Sequence, residues 1–431
     1  MPISTVGTAD GPRFDAGQKA LGLAFMRERA RRMLDGLVAF WVFCGGLVIV
    51  QPSPYEFAFV LVLPVALFAG IGLYRSSLGI LALLVGFLPF ALIAAFQVTF
   101  SSISDSLIFT IITAFLFTTA YFLANYVAEE TIVRVRLIIN AYTAIAVITA
   151  LIGAGAYLGV IPGGEDLFLR YGRAKALFED PNVYGPFLIL PAAFALQRIL
   201  LARGRRSFWA AVVYLILFVG VFASFSRAAW GHLAFTSVMV LVLVFWLEAL
   251  AHDKVRIMIL SLVGIAGLAI AMGGLLSIPA VGKLFETRAA SQEYDSGETG
   301  RFGRQGYAFD LALDHPWGIG PGEFHNMRII EEPHDTYVST IHVYGWGGGA
   351  MYYMFAALTL WKGFSSLTRP SPFRPLMIPL ISTFAMLAGE AAIIDIDHWR
   401  HYYLLAGLIW GVSAAIRNSK RTSLYRNAAV I

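Results

Sequence analysis

Long apolar runs separated by short polar breaks dominate the pattern of this chain. They cover 33–51, 55–74, 77–99, 105–127, 137–160, 182–202, 208–224, 228–250, 257–277, 339–361, 375–395 and 400–416. A helix needs roughly 20 apolar residues to cross a hydrocarbon core about 30 Å thick. The pattern therefore predicts an all-α integral membrane fold of about twelve transmembrane helices. Two connections are long, 161–181 and 278–338, and the remaining polar chain forms tails at 1–32 and 417–431.

Composition removes the competing class. Of 431 residues, 58% are hydrophobic and only 14% charged, against roughly 25% charged in a soluble domain. No large soluble domain is left over. The single cysteine, Cys44, allows neither an internal disulfide nor a Cys-based zinc site. The first thirty residues are basic and hold no short apolar stretch with a small-residue cleavage site, so no cleaved signal peptide is expected.

Charge then orients the helices. With the N-terminus cytoplasmic, 22 of the 32 Lys and Arg residues fall on the inside, as the positive-inside rule requires. Both termini are expected in the cytoplasm, and the net charge of +5 reports orientation rather than a nucleic-acid partner. The basic residues left outside concentrate in the two long connections, where the orientation rule does not apply. Chemistry is expected there.

In the 161–181 loop, Arg170, Arg173 and Lys175 precede Asp180 and Pro181, an N-cap and a first helical residue. Helix N-termini favour anions and guanidinium forks favour phosphate, although a solvated basic loop against lipid headgroups reads equally well. Pro186 and Pro191 predict a kink in the helix that follows. Arg227, in FSRAAW, lies between two apolar runs with almost no loop, where a charge pairs, binds something or snorkels. A helix over about 300–314 would put Arg301, Arg304 and Tyr307 on one face. GIGPG at 318–322 follows no strand and contains Pro321, so it reads as a tight turn rather than a dinucleotide loop.

His334, in PHDTY, suits either a proton acceptor or a polar anchor. Asp335 beside it either orients an imidazole elsewhere or caps the next helix. The turn DIDHWRHYY offers Asp395, Asp397, His398 and Arg400, as a cation site or as an Asp397–Arg400 pair. Glu390 is an acid inside a span and a functional candidate for that reason.

Three segments, RYGRAKALFEDPNVYGPFL, FSRAAW, and GRFGRQGYAFDLALDHPWGIGPGEF running on to PHDTYVSTIHVYGWGGG, carry a resemblance. In order, spacing and sidedness the chain resembles the O-antigen ligase and polysaccharide polymerase superfamily of bacterial inner-membrane proteins. HWRHYYLLAGLIWG is similar to the ending of one branch of that family. The likeness runs from about residue 160 to 416, and the first four spans match in hydropathy only.

The resemblance implies a fold similar to C-type glycosyltransferases and a metal-independent, inverting reaction needing no cofactor. The donor would be an undecaprenyl-diphosphate-linked oligosaccharide and the acceptor a sugar hydroxyl on a glycan or on lipid A core, at the periplasmic face. A chain-length regulator or flippase and membrane lipids are the further partners it implies. Carried over residue by residue, His334 is the base, Arg173 the loop arginine, and Arg301 or Arg304 the large-loop arginine. Arg170, Lys175 and Arg227 join them as diphosphate ligands. Asp335, Tyr307, Glu390, His398 and Arg400 are supporting residues. The family usually shows Asn after its histidine, where this chain has Asp335. Acceptor choice is expected in the variable stretch at about 283–300. The main alternative is a lipid-linked oligosaccharide flippase or another twelve-helix transporter, which would keep polar groups at the bilayer midplane in paired halves. A third is a non-catalytic assembly factor.

Overall fold

The computed structural model describes residues 12–289, 297, 300–327, 331–368 and 370–428. Parts of the expected tails, and half of the variable 283–300 stretch, lie outside the described residues. The chain is mostly helical. In order it forms α1 (Pro12–Cys44), α2 (Pro54–Ala69), α3 (Leu78–Ala95), α4 (Ile103–Glu129), α5 (Thr131–Tyr157) and α6 (Gly164–Phe168). A hairpin of β1 (Leu169–Arg170) and β2 (Arg173–Ala174) follows, then α7 (Pro181–Phe187), α8 (Ile189–Leu201), α9 (Arg205–Ala223), α10 (Arg227–Leu247) and α11 (Ala251–Leu276). The large connection holds α12 (Pro279–Ala289), α13 (Arg301–Asp314) and α14 (Phe324–Met327), and the chain ends in α15 (Thr336–Leu367), α16 (Arg374–Glu390) and α17 (Arg400–Ala428).

Helix occupies each predicted apolar run. Among the described residues, seven helical segments are long and apolar enough to cross a membrane: α3, α4, α5, α7 with α8, α9, α10 and α11. The hydrophobic effect cannot drive helices together inside lipid, so close packing of small residues does so instead. Gly407 and Gly411 let α17 lie directly on α4, where a Cβ at Gly407 would stand 2.7 Å from the Ala120 carbonyl. At the other extreme, none of the most apolar 18-residue stretch of α11 is buried. That outward apolar surface suits contact with lipid.

Two departures from continuous helix shape the site. Pro191 has no N–H to give the Phe187 carbonyl one turn earlier, and the Tyr142 hydroxyl of α5 donates to it instead at 2.9 Å. The expected kink is a break between α7 and α8 at Leu188. The second break is in α15 at Gly345, where φ is 72° and ψ 177°. The Ile319 and Gly320 amides donate to the His342 and Val343 carbonyls, and the Trp346 amide to the Pro316 carbonyl. The GIGPG turn thus satisfies the backbone groups that the break releases, which would be costly to leave buried and unpaired. A Cβ at Gly345 would stand 2.5 Å from the Pro316 oxygen, so only glycine fits. Glu323 pins the other side of this segment by accepting the Phe100 and Ser101 amides at 2.9 and 2.6 Å.

The all-α expectation needs one correction. The 161–181 connection contains the β1–β2 hairpin, turned by Tyr171 and Gly172 with φ of 53° and 68°. Positive φ at both central residues matches the right-handed twist of a two-residue hairpin.

Candidate functional site

The hairpin delivers Arg173 to the short turn between α9 and α10. Its side chain is buried; Nε donates to the Ser224 carbonyl at 2.9 Å and a terminal nitrogen to Asn182 Oδ1 at 2.7 Å. Asp180 caps α7 as the sequence predicts, accepting the Asn182 amide at 2.7 Å. Arg173 therefore ties the hairpin, the start of α7 and the α9–α10 turn into one unit. Arg227 opens α10 beyond the Ser226 cap and is exposed. Arg170 is also exposed, donating to the Glu179 carbonyl at 3.1 Å, and Lys175 is half-buried.

A second unit forms around α13, a helix as expected. Arg304 is buried and paired with Glu331, Arg301 is half-buried, and the Tyr307 ring lies 5.8 Å from that of Phe324. The next residue on α13, Gln305, donates to the His334 carbonyl at 3.2 Å. Arg304 and His334 thus belong to one assembly. His334 has a φ of 53°, in the left-handed region that non-glycine residues seldom occupy. Such strain persists only where the surroundings enforce it.

The surroundings here are the α16–α17 turn. Thr336 donates its amide to the Ala391 carbonyl and its hydroxyl to the Ile394 carbonyl at 2.8 Å, and the Ile396 amide returns a bond to that hydroxyl at 2.7 Å. This staple sets Asp395 against His334, with Oδ2 3.0 Å from Nδ1, while Ser339 donates to Oδ1 at 3.1 Å. A carboxylate there accepts a hydrogen bond from Nδ1–H, which leaves Nε2 of the neutral imidazole with its lone pair. The two side chains are 34% and 28% exposed, so the pair stands at the protein surface rather than inside it.

Asp335 does not orient this imidazole. It caps α15, accepting the Tyr337 and Val338 amides at 2.9 and 3.1 Å, and burial, aided by the Asp395 charge, raises its pKa despite those bonds. Arg400 does not pair with Asp397. It bonds Glu56 at 2.8 Å and Gln51 at 3.0 Å, tying α17 to the capped start of α2. His398 bonds the Thr113 hydroxyl at 2.8 Å, and burial lowers its pKa to about 4. Asp397 keeps some surface yet is ringed by protein. Burial first, and Asp395 second, push it up to about 7. Among the described residues no three His, Cys, Asp or Glu side chains group as a metal site.

Glu390, at the end of α16, is buried against His232 of α10, with Oε2 2.8 Å from Nδ1. His232 Nε2 lies 3.0 Å from the Thr383 carbonyl, which can only accept, so Nε2 carries a proton. The α10–α16 contact joins the two units, since α10 starts at the Arg173 turn and α16 ends at the residues that hold His334.

Sequence reasoning missed His232, Asn182, Ser224 and Glu331, and it weighed Asp395 only as one ligand of a cation site in its own turn, not as a partner of His334. A partner 61 positions away leaves no local trace. For Asp395 the available signal was that its turn and His334 were expected on the same side. No curated protein matches the chain. Residues 188–353, which hold Arg227, Arg301, Arg304 and His334 but neither Arg173 nor Asp395, match the family model described as O-antigen ligase, the family whose motifs the sequence resembles.

Proposed function

We propose that this multi-pass membrane protein transfers a glycan from an undecaprenyl-diphosphate-linked donor to a sugar hydroxyl, at the periplasmic face of a bacterial inner membrane. The family match supports a polysaccharide ligase-type function. The observation that carries the finer reading is the hold of Asp395 on His334 Nδ1, which leaves Nε2 available as a base.

In this reading the acceptor oxygen attacks the anomeric carbon as the bond to the donor diphosphate breaks. His334 Nε2 takes the hydroxyl proton, and a single displacement inverts the anomeric centre. General base help of this kind contributes typically ~10²–10⁴-fold. Charge develops on the leaving diphosphate, where Arg173, Arg227, Arg301 and Arg304 would stabilise it, with Arg170 and Lys175 at the approach. Arg304 already carries Glu331, so it must exchange or share that partner when the donor binds. The reading invokes no metal, because guanidiniums supply the positive charge. Asp335, Tyr307, Glu390, His398 and Arg400 act through the frame that holds these groups.

The test is a deletion strain whose lipopolysaccharide and exopolysaccharide are both sized. Intact long chains stranded on lipid carrier identify a ligase, and accumulation of single repeat units identifies a polymerase. Unchanged glycans of both kinds would reject the proposal.

A further inference from the structure

One cleft lies well away from His334. With a volume of about 870 Å³, it opens at the opposite end of the same helices, between α5, α8, α9 and the start of α16. Small-molecule sites fall within roughly 300–1,000 Å³, so this is room for a ligand rather than a packing defect. Along α9, Arg205 at the cleft and Ala223, beside the Arg173 turn, are 18 residues apart. At 1.5 Å per residue that is about 27 Å, close to the thickness of a hydrocarbon core.

The walls and the rim of this cleft differ in character. Ile139, Phe194, Ala195 and Val213 line it with apolar surface, and Trp209 stands exposed beside them. Arg136, Arg198, Arg205 and Arg206 ring it, with Asn140 and Gln197 as neutral polar groups, and among the described residues no carboxylate lines it. Elsewhere at this end arginines meet acids. Arg134 bonds Glu129 at 2.9 Å, Arg203 bonds Asp253 at 2.8 Å and Arg374 bonds Glu248 at 2.6 Å. The four at the cleft have no ion-pair partner among the described residues. Orientation in the membrane requires positive charge on one side, but it does not require four unmatched guanidiniums around an apolar cavity.

Hydrogen bonds frame the cleft. Arg256 donates to the Leu200 carbonyl at 2.9 Å, and Gln197 donates to the Pro375 carbonyl at 2.8 Å, fixing the end of α8. We infer that this cleft binds a phosphate-bearing anionic lipid from the leaflet remote from His334, its headgroup among Arg136, Arg198, Arg205 and Arg206 and a chain along Phe194 and Val213. Guanidinium forks match phosphate, and basic pockets between helices hold such headgroups. This site is separate from the glycan-transfer reading and stands or falls by binding alone.

The test uses the purified full-length protein, exchanged into detergent carrying phosphatidylglycerol or phosphatidylcholine with the same chains, and native mass spectrometry of retained lipid. The expected result is preferential retention of phosphatidylglycerol. Joint Arg→Gln substitution at 136, 198, 205 and 206 should lower that preference by at least about tenfold. Ala195→Trp fills the cavity without touching charge and should also displace the lipid, which protects the test against misfolding of the fourfold variant. Millimolar inorganic phosphate should compete weakly, because it lacks a chain. Equal retention of the two lipids, retention unchanged in Ala195→Trp, or full displacement by inorganic phosphate would each overturn the assignment.

Discussion

Two histidine–carboxylate pairs stand at the same end of this bundle and differ in one respect. His334 meets Asp395 at 3.0 Å and His232 meets Glu390 at 2.8 Å, so the first contact is nearly the same. The second nitrogen separates them. His232 spends Nε2 on the Thr383 carbonyl, and both of its pair are fully buried; the His334 pair is about a third exposed, and no protein group takes its Nε2 among the described residues. In one pair the imidazole is engaged at both nitrogens inside the bundle, and in the other it is held at one nitrogen and partly exposed. Residue type alone does not distinguish the two roles; access to the second nitrogen does.

The comparison predicts opposite responses to the same substitution. His334→Ala should lower glycan transfer by roughly 10²–10⁴-fold with normal protein in the membrane and an unchanged melting temperature. Asp395→Asn should lose less, since the imidazole remains but its Nδ1 is no longer held by a charge. Product sized per unit of membrane-inserted protein reads both, and full activity in His334→Ala would end the assignment of the base. His232→Ala should instead destabilise the fold, by about 3–5 kcal/mol, because it strands a buried acid. Denaturation of the solubilised protein measures this. Replacing both residues by Leu should recover much of that loss. If His232→Ala abolished transfer without a change in stability, the division of the pairs would be wrong.

Arg173 tests the bridge between the two units. Lysine keeps the charge but cannot reach the Ser224 carbonyl and Asn182 at once, as the guanidinium fork does. Arg173→Lys should lose on the order of tenfold in transfer, the value of one hydrogen bond from a charged group. A fully active lysine variant would show that point charge, not placement of the turn, is what this position supplies.

The helices were legible because a membrane imposes a length and an apolar pattern on each segment that enters it. Asp180 with Pro181, and the α13 face of Arg301, Arg304 and Tyr307, were legible because their signals lie within one or two turns of chain. The His334–Asp395 and His232–Glu390 pairs were not, because α10, α16 and the start of α15 meet only through packing. The role of GIGPG was half legible. Its glycines announced a turn, but nothing in the local sequence said that the turn would feed hydrogen bonds to a broken α15. Arg400 shows the opposite failure: Asp397 was the near carboxylate in sequence, yet the guanidinium reaches Glu56 across the bundle.

The smallest expected effect concerns the acidic turn that flanks the open pair. Asp397 rises from an ordinary value of 3.8 to about 7, through burial and then the Asp395 charge. A carboxyl raised in this way binds more protons folded than unfolded between those two values. Its contribution to stability is therefore complete below pH 3.8 and is lost as the pH climbs through about 7. Asp397→Asn removes the titration. The melting temperature of the native protein should fall further between pH 5 and pH 8 than that of the variant, so the difference between them shifts in favour of the variant as pH rises. Groups that titrate equally in both proteins cancel from that difference. The shift should be modest, because Asp397 keeps some contact with solvent and its charge is partly screened there. Parallel curves across this range would mean that Asp397 is ionised throughout, and that the turn beside His334 carries one more negative charge near neutral pH than the geometry implies.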